Sequence, residues 1–244
     1  MLRTVQSGQR AVSVISPDMA QMSLRPRAWT SLGLLAVAMG LLVFLSAGTL
    51  HYWKGWLFLV AFMGPTIITT TRLLKEDPAL AERRMSSPAT ETRARQKLIQ
   101  AFNLVFFLAL FIVPGLDRRF GWSHLPAGIA VAGAAMMLAA YWGLFRVMSA
   151  NSFASSTVKL ADGQTLVSTG PYGLVRHPMY SAGLLLIYAT PLTLGSLWGL
   201  VPARALLAGI IVRLLDEEKF LESNLPGYRD YQTRRRFRLV PGIF

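Results

Sequence analysis

Apolar blocks alternate with short polar segments along most of the chain. Four blocks fall at about 29–50, 55–74, 98–116 and 127–148. Each approaches the roughly 20 residues that a helix needs to cross a bilayer. The breaks between them carry interfacial aromatics and turn residues. They are His51-Tyr52-Trp53-Lys54 with Trp56, the polar stretch 75–97, and Asp117-Arg118-Arg119-Phe120-Gly121-Trp122. The block at 127–148 is rich in Gly and Ala, which lets helices approach closely. Residues 178–222 return to helical patterning, interrupted by Pro191, Gly195-Ser196, Gly199 and Pro202. A turn near 195–202 therefore predicts a hairpin with Arg204 at its far end, where a long cation can snorkel.

The pattern predicts an all-α, polytopic integral membrane bundle of about six transmembrane helices, ending in a helical-hairpin module. Helices satisfy their own backbone groups in lipid, and no strand alternation suggests a barrel. Within 149–176, residues 158–167 read as a small β-hairpin turning at Asp162-Gly163. The expected divisions are an N-terminal tail at 1–28, a four-helix region at 29–149 and the C-terminal module at 150–244.

Composition supports the membrane reading: 53% of residues are hydrophobic and 15% charged, with a mean hydropathy of +0.42. The net charge of +13 follows the positive-inside pattern and does not call for a nucleic-acid partner. The basic segments at the tail, 75–97, 149–176 and the C-terminus place both termini in the cytosol. Residues 1–28 lack the apolar core of a cleavable signal, and a prokaryotic inner membrane is the default location. Absence of cysteine excludes disulfides, thiolate metal sites and a cysteine nucleophile. The histidines at 51, 124 and 177 are too scattered in sequence for a metal-ligand cluster. No Rossmann glycine pattern, P-loop or nucleophile elbow is visible.

Candidate chemistry gathers at the two feet of the hairpin. One foot holds Gly170-Pro171-Tyr172 and Arg176-His177-Pro178-Met179-Tyr180. Gly-Pro makes a rigid turn, and Pro178 suits a first helical turn whose positive end attracts anionic groups. The plain alternatives are an interhelical turn and an arginine anchoring a helix at the interface. The other foot holds Arg213 and Asp216-Glu217-Glu218. Arg213 and Glu217 share one helix face, either as a membrane-edge ion pair or as a site. An arginine a turn inside a span is usually functional and can hold a carboxylate by paired hydrogen bonds. Tyr228 and Tyr231 follow Pro226-Gly227, as a cover over a ligand or as interface aromatics. Arg234, Arg235, Arg236 and Arg238 are expected at anionic lipid headgroups.

Taken together, Gln164-Thr165-Leu166-Val167-Ser168-Thr169-Gly170-Pro171-Tyr172, Arg176-His177-Pro178-Met179-Tyr180, Arg213…Glu217-Glu218, Gly227-Tyr228…Tyr231 and Pro241 resemble the isoprenylcysteine carboxyl methyltransferase family of integral membrane enzymes. The resemblance covers about 157–244. It implies a pocket for S-adenosylmethionine built without a Rossmann fold. Lys159, Gln164, Thr165, Leu166, Val167, Tyr172, His177, Pro178, Met179, Tyr180 and Glu217 would line that pocket. Arg213 would bind the substrate carboxylate and, with Glu217, serve catalysis. Gly183 stands one position later than the family's glycine, leaving Ala182 in its place. The implied partners are membrane lipids and a lipid-linked or prenylated acceptor, with no obligate protein partner. Three alternatives stay open: a phospholipid amine methyltransferase, an NADPH-dependent membrane reductase of the sterol type, and a non-enzymatic membrane scaffold.

Overall fold

The computed structural model describes residues 17–85, 94–151 and 165–244. These residues form helices joined by turns, with no strand among them. Of the β-hairpin expected at 158–167, residues 158–164 lie outside the described residues, and 165–167 form no strand. The architecture is a helical membrane bundle, as the hydrophobic pattern requires.

Among the described residues four helices are long and apolar enough to cross a bilayer: α1 (Pro17–Ala47, apolar from Leu24), α2 (Trp53–Glu76), α4 (Ala94–Phe120, apolar from Leu98) and α5 (Ala127–Ala150). The remaining pair expected to span make a hairpin whose first leg is apolar but short and whose second leg is less apolar. Its first leg, α6 (Pro178–Leu194), has 17 residues, or about 26 Å of helix against a core of roughly 30 Å. Its second leg, α7 (Leu200–Asn224), is interrupted by Arg204 and Arg213. Charged groups therefore sit close to both ends of the hairpin.

Two segments differ from the pattern-based expectation. The tail expected through residue 28 is helical from Pro17, and Leu24 and Ala28 pack against Leu74 and Ala81. The polar stretch 75–97 contains α3 (Pro78–Met85). Asp77 accepts a hydrogen bond from the Leu80 amide at 2.9 Å, and Pro78 opens the helix, so a local N-cap outweighs the polar composition.

The helices close on a core of Val43, Phe44, Tyr52, Phe58, Phe111 and Met137, joined by Ala189, Leu194 and Leu206. α5 and α6 share the most extensive seam. A Cβ on Gly133 would lie 2.6 Å from the Thr193 backbone nitrogen, so the contact exists because that position has no side chain. The turns at 48–52, 121–126 and 195–199 meet at the end of the bundle remote from the hairpin's feet. There the buried Asp117 carboxylate accepts from the Ser123 amide at 2.6 Å and from the Ser196 hydroxyl. The Tyr52 hydroxyl donates to the Leu194 carbonyl. α6 stops at Gly195, whose φ of 72° is the left-handed cap that a side chain would oppose. The turn falls at 195–199, inside the range read from the sequence, and Pro202 sits in the first turn of α7.

A candidate active site at the feet of the hairpin

The 3-10 turn Gly170–Gly173 and the start of α6 supply the first half of the site. His177 caps α6 and Pro178 occupies its first position, because proline has no amide to satisfy there. The backbone amides of Arg176 and His177 donate to the carbonyls of Phe237 and Arg238 at 3.0 and 2.9 Å. The Ser181 hydroxyl reaches the Leu239 carbonyl at 2.6 Å. The C-terminal segment is thus bound along the entry to α6.

Glu218 is the ionic centre. Arg176 Nε lies 2.9 Å from Glu218 Oε1, and His177 Nε2 lies 3.1 Å from the same oxygen. Arg238 Nε donates to Oε2 at 2.9 Å. The Glu218 side chain is 4% exposed and that of Arg176 6%, so this pair is removed from water. Burial pushes the carboxyl pKa up. The hydrogen bonds from His177 and Arg238 and the charges of His177 and Arg176 outweigh it and hold it below the usual carboxylate value. Glu218 is therefore an ionised anchor whose oxygens are both engaged.

A second chain of polar groups runs beside it. The Tyr180 hydroxyl donates to Glu217 Oε2 at 2.6 Å and accepts from Arg213 Nε at 3.0 Å. Arg213 and Glu217, paired by spacing in the sequence, are linked here through a tyrosine from the opposite leg. All three are half-buried. The successive carboxylates of Glu217 and Glu218 thus have different surroundings: one is saturated by cations, the other is held by a phenol.

The elbow between α7 and α8 (Tyr228–Arg234) closes the site. Tyr228 and Tyr231 are buried, and pack with Leu225, Leu221 and Leu166; neither is an interface aromatic. The Tyr231 hydroxyl donates to the Tyr172 carbonyl at 2.7 Å, tying the elbow to the 3-10 turn. Burial, then the neighbouring Tyr172, pushes its pKa up to about 12. The Tyr228 hydroxyl is buried with no hydrogen-bond partner among the described residues. Burial is also the main reason its pKa is raised, and Glu218 adds to it. A buried phenol without a partner costs free energy, and it stands where the charges of Glu218, Arg176 and Glu217 are felt.

Of the residues read as cofactor-contacting, His177, Pro178, Met179, Tyr180 and Glu217 come together at the feet of α6 and α7. Leu166 reaches the elbow cluster. Val167 is half-buried and Thr165 exposed just before the turn. The Tyr172 hydroxyl accepts from Asn151 at 2.9 Å, so its phenol is directed to the end of α5. Lys159 and Gln164 lie outside the described residues. Arg234, Arg235 and Arg236 are exposed. Arg238 is not among them: it turns inward to Glu218, because a buried carboxylate attracts it more than water does. Glu218, not Glu217, is the anchor, which the spacing of Arg213 and Glu217 does not single out. The signal that could have found it is the pair Arg176-His177 itself, two donors needing one buried acceptor.

A family model described as phospholipid methyltransferase matches residues 129–226, which takes in α5, the 3-10 turn, α6 and α7. This is a family of membrane methyltransferases related to the isoprenylcysteine carboxyl methyltransferases. The match contains Arg176, His177, Tyr180, Arg213, Glu217 and Glu218, and stops before the two elbow tyrosines and Arg238. No curated protein matches the chain.

Proposed function

We propose that this protein is an integral-membrane methyltransferase that uses S-adenosylmethionine and acts on the carboxylate of an isoprenylcysteine-like or other lipid-linked acceptor. The observation that carries this reading is the Arg213–Tyr180–Glu217 chain at the foot of a membrane hairpin, inside the stretch that matches a membrane methyltransferase family. On this reading the site end of the bundle faces the cytosol, where the water-soluble cofactor enters.

The residues present suit the cofactor on a point that belongs to the structure alone. The buried Tyr228 hydroxyl lacks a partner among the described residues, and Leu166 packs beside it as an apolar wall. Tyr228, Leu166, Val167, Met179, Tyr180 and Glu217 would hold the group. When bound, it supplies an electrophilic sulfonium methyl that a carboxylate attacks without a general base. Catalysis then rests on alignment and exclusion of water. Arg213 orients the acceptor carboxylate. The Tyr180 hydroxyl, receiving Arg213 Nε and donating to Glu217, fixes the direction of the guanidinium. Glu218 acts at one remove, by holding Arg176, His177 and Arg238 around the entry to α6.

The family description favours a second reading, an amine acceptor on a phospholipid. An amine arrives protonated and must lose a proton before attack. Glu217, bonded by one oxygen to a phenol, is the carboxylate placed to receive it; Glu218 is saturated.

The test begins with equilibrium binding of S-adenosylhomocysteine and of NADPH to the detergent-solubilised protein. The proposal expects saturable binding of the first alone. Binding of NADPH alone would make it a reductase, and binding of neither by folded protein would leave a scaffold. Transfer of a labelled methyl group to N-acetyl-S-farnesylcysteine, compared with phosphatidylethanolamine in vesicles, then separates the carboxylate from the amine acceptor.

A further inference from the structure

Within the apolar part of α4, from Leu98 to Leu116, only two side chains hydrogen-bond strongly: Gln100 and Asn103. Three residues apart, they share one face of the helix. In the structure both side chains are half-buried, and one atom of each, Gln100 Nε2 and Asn103 Oδ1, is buried with no hydrogen-bond partner among the described residues. In lipid no water can make good that loss, so such groups are expensive unless something else pairs with them.

Their position is set by the α4–α7 seam. A Cβ on Gly209 would lie 2.0 Å from Asn103 Oδ1 and 3.2 Å from a Phe102 ring carbon. The Asn103 carboxamide therefore occupies the space a side chain at 209 would take. α4 and α7 run antiparallel, so Gln100, about 4.5 Å further along α4, stands level with Val212 and Arg213. The unpaired carboxamides thus belong to the same layer as the Arg213–Tyr180–Glu217 chain. On its outer side α4 exposes Phe102, Leu104 and Val105, an apolar flank beside the polar pair.

We propose that Gln100 and Asn103 are a recognition site, inside the membrane, for the uncharged hydrogen-bonding part of the acceptor. Each carboxamide offers a donor and an acceptor, and together they match an amide next to the reacting group, on a molecule whose apolar tail lies along α4. They set specificity and position the acceptor under Arg213. The inference rests on the methyl-transfer reading above.

The experiment uses Asn103→Leu and Gln100→Met, which keep side-chain size and remove hydrogen bonding. Thermal unfolding is measured first, without ligand. If the carboxamides have no partner in the bundle, both variants melt at or above the wild-type temperature. A lower melting point overturns the proposal, since the carboxamides then tie helices together. Next, kcat/KM is compared for N-acetyl-S-farnesylcysteine and S-farnesylthiopropionate, which keeps the tail and carboxylate but has no amide. The wild type should prefer the first by about tenfold or more, and each variant should lose most of that preference with S-adenosylhomocysteine affinity unchanged. A preference kept intact, or a parallel loss of cofactor affinity, overturns the proposal. Absence of transfer by the wild type to either compound defeats the carboxylate reading by itself. Melting then decides the inference: a destabilised Asn103→Leu rejects it, and an equal or higher melting point retains it.

Discussion

Replacing Glu218 with glutamine tests whether the anchor at the hairpin's feet is electrostatic. Glutamine keeps the shape and one acceptor but removes the charge. Arg176 is left as a cation with a 6% exposed side chain and no opposing charge from residue 218. Arg238, with its side chain 32% exposed, can recover part of its solvation, so its loss is counted as small. Breaking a buried pair from one side costs roughly 3–5 kcal/mol. Because glutamine retains an acceptor, the lower end applies, about 3 kcal/mol. For a chain of this length that is a fall of roughly 6–12 °C in melting temperature, measured by thermal unfolding in a fixed detergent. Glu217→Gln, at a half-buried position with a single phenol donor, should fall by less than half as much. The pH dependence supplies a second readout. Glu218 has its folded-state pKa below the unfolded value, so its contribution is fully present above about pH 5. That contribution is lost as pH falls through the depressed folded value, below the ordinary carboxylate pKa of about 4.3. Wild-type stability should decline in that acid range, and Glu218→Gln should show a weaker decline there. Equal melting of wild type and Glu218→Gln near neutral pH would refute the reasoning.

Arg213→Ala should raise the acceptor KM by about tenfold or more while S-adenosylhomocysteine affinity stays within about twofold; joint loss of both would make Arg213 a structural residue. Tyr228→Phe removes a hydroxyl without a partner, so unliganded melting should be unchanged or slightly higher while S-adenosylhomocysteine binding weakens by about 1 kcal/mol, measurable by calorimetry. Gly133→Ala forces a Cβ to 2.6 Å from the Thr193 backbone nitrogen and should destabilise by about 1–3 kcal/mol. An unchanged melting point there would mean that α5 and α6 can separate freely.

The sequence by itself determined the elements and their chemical inventory. Blocks of apolar residues dictate helices in lipid, since no other local structure pairs the backbone there. Gly195 dictates a helix end, and Pro178 permits a helix start. The residue types at the two feet, Arg176-His177 and Arg213 with Glu217-Glu218, were legible because ionisable groups beside a span are rarely without a task. Local composition could not anticipate that Asp77 and Pro78 would start a helix inside a polar stretch, or that α1 would begin at Pro17. Only the tertiary structure decided which carboxylate does what. Adjacent residues on a helix point about 100° apart, so packing of α7 against α6 sends Glu218 to Arg176 and His177 and Glu217 to Tyr180. Packing likewise turned Arg238 inward, 20 residues after its partner, and left a buried polar atom on each of Gln100, Asn103 and Tyr228 without a partner among the described residues. Those facts depend on which surfaces of distant helices meet, and hydrophobic periodicity constrains the face a helix buries far more than the atoms it will find there.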